Sequence, residues 1–341
     1  MHGGNIYQNE IEYDFSVNLN PYGKVESLND FLRNSIDKVC AYPDMQQSQF
    51  RRAISRIDCV AEEMVIGGNG ASELIMAVVR NVNPKKVLLP TPCFSGYAFA
   101  LNSIGEVEVV DYGLKVEDSF VIKEDFLDYI NPDIDMLILA NPNNPTGQRI
   151  PDELLIKILD RCHETNTVIL MDECFLKLTK DPFSLKRYTV QYKELYILDA
   201  FTKLFSIPGI RLGYLVSCPE NIIAVRKQLP EWNMSVLAQE AGVFCADVIM
   251  NTDYIERSLE LIESQREYLA REFTKLGIKV FDSDTNFLLV KTDMNLYQYL
   301  LDRKILIREC EDYASLGKDY YRVAVKLKEE CEFLVKNLQA M

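Results

Sequence analysis

Met136-Leu-Ile-Leu-Ala-Asn-Pro-Asn-Asn-Pro-Thr-Gly147 is the stretch on which the reading turns. It begins as five apolar residues and ends in a polar, proline-broken turn. Twenty residues further on the pattern repeats in Val168-Ile-Leu-Met-Asp-Glu-Cys-Phe175, with a helix-like segment over 152–164 between them. A run of four to six residues that is apolar on both faces, followed by a helix and a second such run, is the signature of a buried parallel strand pair with a helical crossover. Working outward, Val87–Pro90, Val107–Tyr112, Leu195–Leu198 and Gly213–Ser217 continue the series, with helix-like stretches at 94–104 and 124–130. The sequence therefore predicts an α/β fold with a mostly parallel central sheet flanked by helices.

Beyond the sheet, residues 235–275 carry one long amphipathic helical pattern. Asn286–Lys291, Lys304–Glu309 and Tyr321–Lys326 read as strands of a smaller sheet, with helices at 295–303 and 328–339. This predicts a large domain over 45–250 and a small α+β domain over 251–341. Residues 1–44 would join the small domain and cap the site. The 341 residues suit two domains.

Composition narrows the classes of function. With 37 Lys and Arg against 51 Asp and Glu, the net charge is −14, which repels phosphate backbones and argues against nucleic-acid binding. No run approaches the roughly 18 apolar residues of a membrane span, and Met1-His2-Gly3-Gly4-Asn5 lacks the basic and apolar regions of a signal peptide. A cytoplasmic protein is expected. Nine cysteines without a Cys-x-x-Cys pair, and two histidines, give no metal cluster. Reduced, core-filling cysteines are expected.

Four stretches carry chemistry. Gly67-Gly-Asn-Gly-Ala-Ser-Glu73 reads as a glycine-rich turn entering a helix, whose backbone amides attract phosphate. Glu73 stands where a dinucleotide fingerprint has its third glycine. Asp172 ends an apolar strand, where α/β sheets bind ligands, although a helix N-cap would also place an aspartate there. Lys203 ends another apolar run, and a lysine beside a dry strand end can have a depressed pKa suited to Schiff-base chemistry; taken alone it reads more readily as a surface lysine. The fourth is Tyr321-Arg322-Val323 on a small-domain strand.

In combination, Pro92-Cys-Phe94, Asn141-Pro-Asn-Asn-Pro-Thr-Gly147, Asp172, Lys203, and Arg211 eight residues after it followed by Leu-Gly-Tyr, resemble the class I/II aminotransferase family over the whole chain. The resemblance implies fold type I and pyridoxal 5′-phosphate as cofactor. It implies that Lys203 carries the cofactor and moves protons at the substrate Cα, and that Asp172 holds the pyridine nitrogen protonated. Asn144 would bond the ring O3′ and Phe94 would stack on the ring. Gly70, Ala71, Ser72, Thr202 and Arg211 would hold the phosphate. Arg322 would pair with the substrate carboxylate. Tyr42, in Tyr-Pro-Asp, matches a tyrosine that serves the neighbouring subunit's cofactor, which implies a homodimer with shared sites.

Two branches of the family are similar. His2-Gly-Gly-Asn5, Asp14-Phe-Ser-Val-Asn-Leu-Asn-Pro-Tyr-Gly23 and Ile305-Leu-Ile-Arg-Glu-Cys310 resemble the threonine-phosphate decarboxylases. That implies a phosphorylated amino acid as substrate, bound by His2, Asn5, Asn20 and Arg308, and loss of CO2 from phosphothreonine or phosphoserine. The alternative branch is histidinol-phosphate aminotransferase. A binding module without catalysis is disfavoured, because such proteins usually carry an appended DNA-binding segment and nothing basic or helix-turn-helix-like flanks the domain in this sequence. Two positions depart from the family pattern: Phe175 replaces a tyrosine that donates to O3′, and Ala200 replaces a phosphate-binding Ser or Thr.

Overall fold

The computed structural model describes residues 3–341. Its centre is a seven-stranded sheet in the order Val65–Asn69, Leu212–Val216, Leu195–Ala200, Val168–Asp172, Met136–Ala140, Lys86–Thr91, Glu108–Gly113. Only Leu212–Val216 runs against its neighbours; the remaining contacts are parallel. The strand side chains alternate between two cores. Leu137, Leu139, Ile169, Met171 and Ile197 pack into one, and Met136, Ile138, Leu170 and Leu198 into the other. Burial on both faces is why these strands read as unbroken apolar runs.

The parallel strands end on one edge at Thr91, Ala140, Asp172 and Ala200. Each residue that follows such an end is thereby carried to the same rim. The stretch read as a glycine-rich turn is in fact the edge strand Val65–Asn69, with the helix Ala71–Val82 starting after Gly70. Its glycines hid the strand. Gly68 has no room for a Cβ, which would lie 2.5 Å from Leu74, so close packing selected against the residues that mark strands.

The long pattern over 235–275 is two helices, Val236–Asn251 and Tyr254–Lys275, separated at Thr252-Asp253. A four-stranded antiparallel sheet follows, ordered Arg308–Glu309, Tyr320–Ala324, Phe287–Lys291, Lys279–Val280. The expected strand over Lys304–Glu309 is split. Ile305–Leu306 pairs in parallel with Tyr13–Asp14, and only Arg308–Glu309 joins the four-stranded sheet. Phe15 is fully buried in the core of that sheet, with Leu288, Val290, Ile305 and Val323. The N-terminal segment is thus tied to the C-terminal sheet. Among the described residues no helix is long and apolar enough to cross a membrane.

Behind the strand ends lies a buried ionic cluster that the sequence does not announce. Lys186 Nζ is 2.5 Å from Asp199 and 2.9 Å from Asp58, Lys177 Nζ is 2.5 Å from Asp199, and the Tyr214 hydroxyl donates to Asp199 at 2.8 Å. Burial alone would raise the Asp199 carboxyl; the charges of Lys177 and Lys186 outweigh it and hold the group well below the usual carboxylate range. Its stabilising contribution is therefore present above the ordinary Asp value and is lost as pH falls through the lower, folded one. Removing one member of such a cluster leaves a charge buried without its partner. Lys186→Met should cost about 3–5 kcal/mol of unfolding free energy at neutral pH in urea titrations. A loss below about 1 kcal/mol would show that Lys177 alone satisfies both carboxylates.

Candidate active site

A cavity of about 220 Å³ opens at the rim where the parallel strands end. It is enclosed by the N-terminal segment at Gly3, Ser16, Val17 and Asn18, the start of the helix after Gly70, the turns after Thr91, Ala140 and Asp172, the Lys203 turn, and the arginine strands of the small sheet. Ala71, Ser72, Phe94, Asn144, Asp172, Thr202, Lys203, Arg211, Arg308 and Arg322 all line it. Residues spread over 250 positions of sequence converge because each stands just past a strand end or on a strand facing that rim.

One end of the cavity is built for an anion. Ala71 and Ser72 open the helix Ala71–Val82, so unpaired backbone N–H groups and the positive end of the dipole face inward. Gly70 is required here twice over. Its φ is +78°, and a Cβ would lie 2.5 Å from the Arg211 guanidinium. Gly213 makes the matching approach from the other side, since its Cβ would meet Ala71 N at 2.7 Å. Arg211 sits in the left-handed region at φ +57°, and its Nη1 donates to Pro208 O at 3.1 Å. Glu73, the departure from a dinucleotide motif, turns back to accept from Asn69 N at 2.7 Å.

At the floor, Asp172 Oδ1 accepts from Cys174 N at 2.9 Å and Oδ2 from the Tyr97 hydroxyl at 2.8 Å. Burial raises this carboxyl above its usual value, and the Cys174 and Tyr97 hydrogen bonds only partly oppose that. A cationic N–H ligand would stabilise it as the anion. The Tyr97 phenol, itself pushed well above its usual pKa by burial and the Asp172 charge, stays a donor.

Lys203 lies in the short helix Phe201–Leu204. Desolvation, followed by the charges of Arg322 and Arg211, depresses its ammonium to about 8. A substantial fraction is therefore the free amine near neutrality, the form that attacks a carbonyl carbon. Asn20 holds this turn from behind: its N–H donates to Lys203 O at 3.0 Å, and its Nδ2 bonds Leu204 O and Ser258 Oγ, each at 2.8 Å.

The opposite wall carries two arginines that face each other across antiparallel strands, Arg308 against Arg322. Both are almost fully buried. Arg322 donates only to uncharged acceptors: Asn144 Oδ1 at 2.5 Å, Ser16 O at 2.7 Å and the Tyr313 hydroxyl at 3.2 Å. Its Nε has no hydrogen-bond partner among the described residues, nor does Asn18 Oδ1, and Asn18 also lines the cavity. With Oδ1 of Asn144 occupied by Arg322, the amide nitrogen is the polar atom Asn144 has left to donate.

Not every residue expected at the site is brought there. Asn20 is a brace behind Lys203 and not part of the lining; its neighbours Ser16, Val17 and Asn18 take that place. The extended backbone turns at Asn20, so the segment meets the cavity two residues earlier than the motif suggested. Asn5 lies in a smaller cavity beside Arg308, and its Nδ2 donates to Gln8 Oε1 at 3.0 Å. His2 lies outside the described residues, while Gly3 of the same motif lines the main cavity. Tyr42 is exposed, its ring 4.8 Å from that of Trp232, and it does not reach this chain's cavity. Tyr97, Cys174 and Tyr313 line the cavity but were not singled out from sequence. Tyr97 had a signal: it follows Phe94 by three residues on a helix, so both face one way. Tyr313 had none, since it lies in a loop between strands.

Comparison with known proteins agrees with this geometry. The family described as aminotransferase class I and II matches residues 10–338. A threonine-phosphate decarboxylase of Salmonella typhimurium is 30% identical over 99% of this chain and 95% of its own length. A histidinol-phosphate aminotransferase of Pyrococcus furiosus is 29% identical over 97% of this chain and 90% of the relative. The crystal structure of the histidinol-phosphate aminotransferase from Clostridium acetobutylicum superposes with a TM-score of 0.89 at 30% identity, covering 96% of this chain and 98% of the other. A strand-end cavity with a near-neutral lysine and a buried aspartate, in a chain matched nearly from end to end, leads to one conclusion: the protein belongs to the aminotransferase class I and II family.

Proposed function

We propose that this chain is a pyridoxal-phosphate enzyme that decarboxylates O-phospho-L-threonine or a close phospho-amino acid. The observation that carries the reading is the pairing of Arg308 and Arg322 in the same cavity that Lys203 and Asp172 line. A substrate bearing both an α-carboxylate and a side-chain phosphate needs two anion sites besides the cofactor's own.

The donor set fits the cofactor. Ala71 and Ser72 amides, the Ser72 and Thr202 hydroxyls and Arg211 suit its phosphate, Asp172 suits a protonated pyridine nitrogen, Phe94 suits a ring face and Asn144 suits O3′. Lys203 Nζ suits its aldehyde carbon. When bound, the group supplies an electron sink for negative charge developing at the substrate Cα. The protein residues do the rest. Arg322, which has no carboxylate of its own, holds the α-carboxylate, and the bond from Cα to that carboxylate breaks to release CO2. Lys203 Nζ, whose ammonium is depressed to about 8, would return a proton to the substrate Cα. The product is an amino-alcohol phosphate.

Gly3 at the cavity and the relationship to the Salmonella decarboxylase support this branch. The second reading is an aminotransferase acting on histidinol phosphate with 2-oxoglutarate, which the Pyrococcus and Clostridium relatives support. We further infer a homodimer in which Tyr42 serves the neighbouring site. Ile36, Val39, Tyr42, Met45 and Trp232 are exposed on this chain and suit such a contact. A cytoplasmic location and the domain limits 1–44, 45–250 and 251–341 belong to the same proposal.

Product analysis decides between the two reactions. Holoenzyme given O-phospho-L-threonine should release CO2 without any 2-oxo acid. Glutamate formed from 2-oxoglutarate and histidinol phosphate, with no CO2 from phosphothreonine or phosphoserine, would establish the aminotransferase instead. The depressed Lys203 pKa gives a second expectation. Capture of pyridoxal phosphate by apoprotein should quicken about tenfold per pH unit up to about 8 and then level off. Arg322→Met, which removes a neighbouring positive charge, should move that midpoint upward; a wild-type rate still climbing at pH 10 would contradict the burial argument. Third, Asp172→Asn should bind the cofactor yet lose roughly a thousandfold or more in turnover, several kcal/mol of barrier. Near wild-type turnover would mean that another group keeps the ring nitrogen protonated.

A further inference from the structure

Arg308 and Arg322 occupy equivalent positions on neighbouring strands, yet their surroundings differ in one respect. Arg322 meets only uncharged acceptors. The Arg308 Nη2 instead donates to both oxygens of Asp312, at 2.7 and 2.9 Å, and its Nη1 donates to Glu309 O at 2.6 Å. The two partners also differ in exposure. The Arg308 side chain is 6% exposed and fixed on a strand, whereas the Asp312 side chain is 43% exposed and sits on the turn that follows. The Asp312 side chain borders water, whereas that of Arg308 is enclosed.

We propose that Asp312 is a built-in placeholder: its carboxylate occupies the Arg308 fork until the substrate's side-chain anion displaces it. The proposal rests on the phospho-amino-acid reading above and extends it to what selects the substrate. Two guanidinium groups directly opposite each other on paired strands repel, and burying both without a counter-ion is costly. One anion inside the wall removes most of that cost while the cavity waits. Arg322 then receives the α-carboxylate directly. Arg308 accepts the second anion only by exchange, one oxyanion for another at the same planar fork, with Asp312 turning outward into solvent. A phosphate carries nearly two charges and three acceptor oxygens against one charge and two oxygens for the carboxylate, so it wins the exchange. An amino acid with an uncharged side chain leaves Asp312 in place and gains nothing from Arg308. Asp312 is therefore a specificity-determining residue that acts through Arg308.

The test is titration of cofactor-saturated holoenzyme with three probes: inorganic phosphate and L-threonine by calorimetry, and O-phospho-L-threonine by the change in cofactor absorbance on rapid mixing, before turnover. Asp312→Asn should tighten the first two three- to tenfold and leave L-threonine within twofold. Asp312→Ser, which cannot form the fork contact at all, should do the same. Glu311→Gln removes an adjacent charge that does not touch Arg308, and it should change none of the three by more than twofold. Arg308→Met should abolish the inorganic phosphate signal. Unchanged or weaker binding of inorganic phosphate in both Asp312 variants would overturn the placeholder, as would an equal gain in Glu311→Gln, which would reduce the effect to general electrostatics. If wild type binds phosphothreonine no better than L-threonine while both Asp312 variants still tighten inorganic phosphate, the placeholder stands and the phosphothreonine reading fails.

Discussion

Keeping one amine fixed, and far easier to deprotonate than an ordinary lysine, at the end of the strand Leu195–Ala200 is the constraint around which the rest of the site is organised. Lys203 is desolvated, and it is pressed by the like charges of Arg322 and Arg211. It has no ion-pair partner of its own among the described residues. A flexible lysine would relieve that situation by swinging to water. It is prevented by the turn that carries it: Asn20 bonds the Lys203 carbonyl from one side, and Ser206 Oγ donates to Asn20 O at 2.7 Å from the other. Below the turn, Asp199 is locked by Lys177, Lys186 and Tyr214. The N-terminal segment thus does structural work for residues nearly two hundred positions away, which is why it cannot be regarded as a tail.

The same economy of charge explains the two departures from the family pattern. Ala200 brings no hydroxyl toward the anion-binding end, so the helix start at Ala71 and the left-handed Arg211 carry more of that duty. Phe175 contributes no hydroxyl to the cavity and packs edge-on against Phe287 at 5.2 Å. The hydroxyl on that side belongs instead to Tyr313, 3.4 Å from Asn144 Oδ1, and it arrives from the small sheet.

Much of the fold was legible because buried parallel strands leave unbroken apolar runs, and these six runs stand clear between helices. The strand Val65–Asn69 was hidden by its own glycines, and the break at Thr252-Asp253 by an amphipathic pattern that continues across it. At the site, residues adjoining a strand end (Asp172, Lys203) could be read from position, since the sheet fixes where they go, whereas Asn144 was legible only through the family resemblance. Asn20 could not. It belongs to a segment whose register depends on the pairing of Tyr13–Asp14 with Ile305–Leu306, a contact no local pattern encodes. Tyr313 and Asp312 fall in a loop whose position is set by the strands either side, and the buried cluster of Asp58, Lys177, Lys186 and Asp199 assembles from four separate segments. Charge partners of that kind are properties of the packed structure and leave no spacing to find.

The central claim is that Lys203, among all the lysines of this acidic chain, carries the cofactor. Borohydride reduction of the purified holoenzyme followed by peptide mass spectrometry tests it most directly. The account predicts a phosphopyridoxyl group on the peptide containing Lys203 and none on those containing Lys177 or Lys186, whose amines are tied up in ion pairs with Asp58 and Asp199. Stoichiometric label on any other lysine, or no label on a protein that has bound the cofactor, would contradict it.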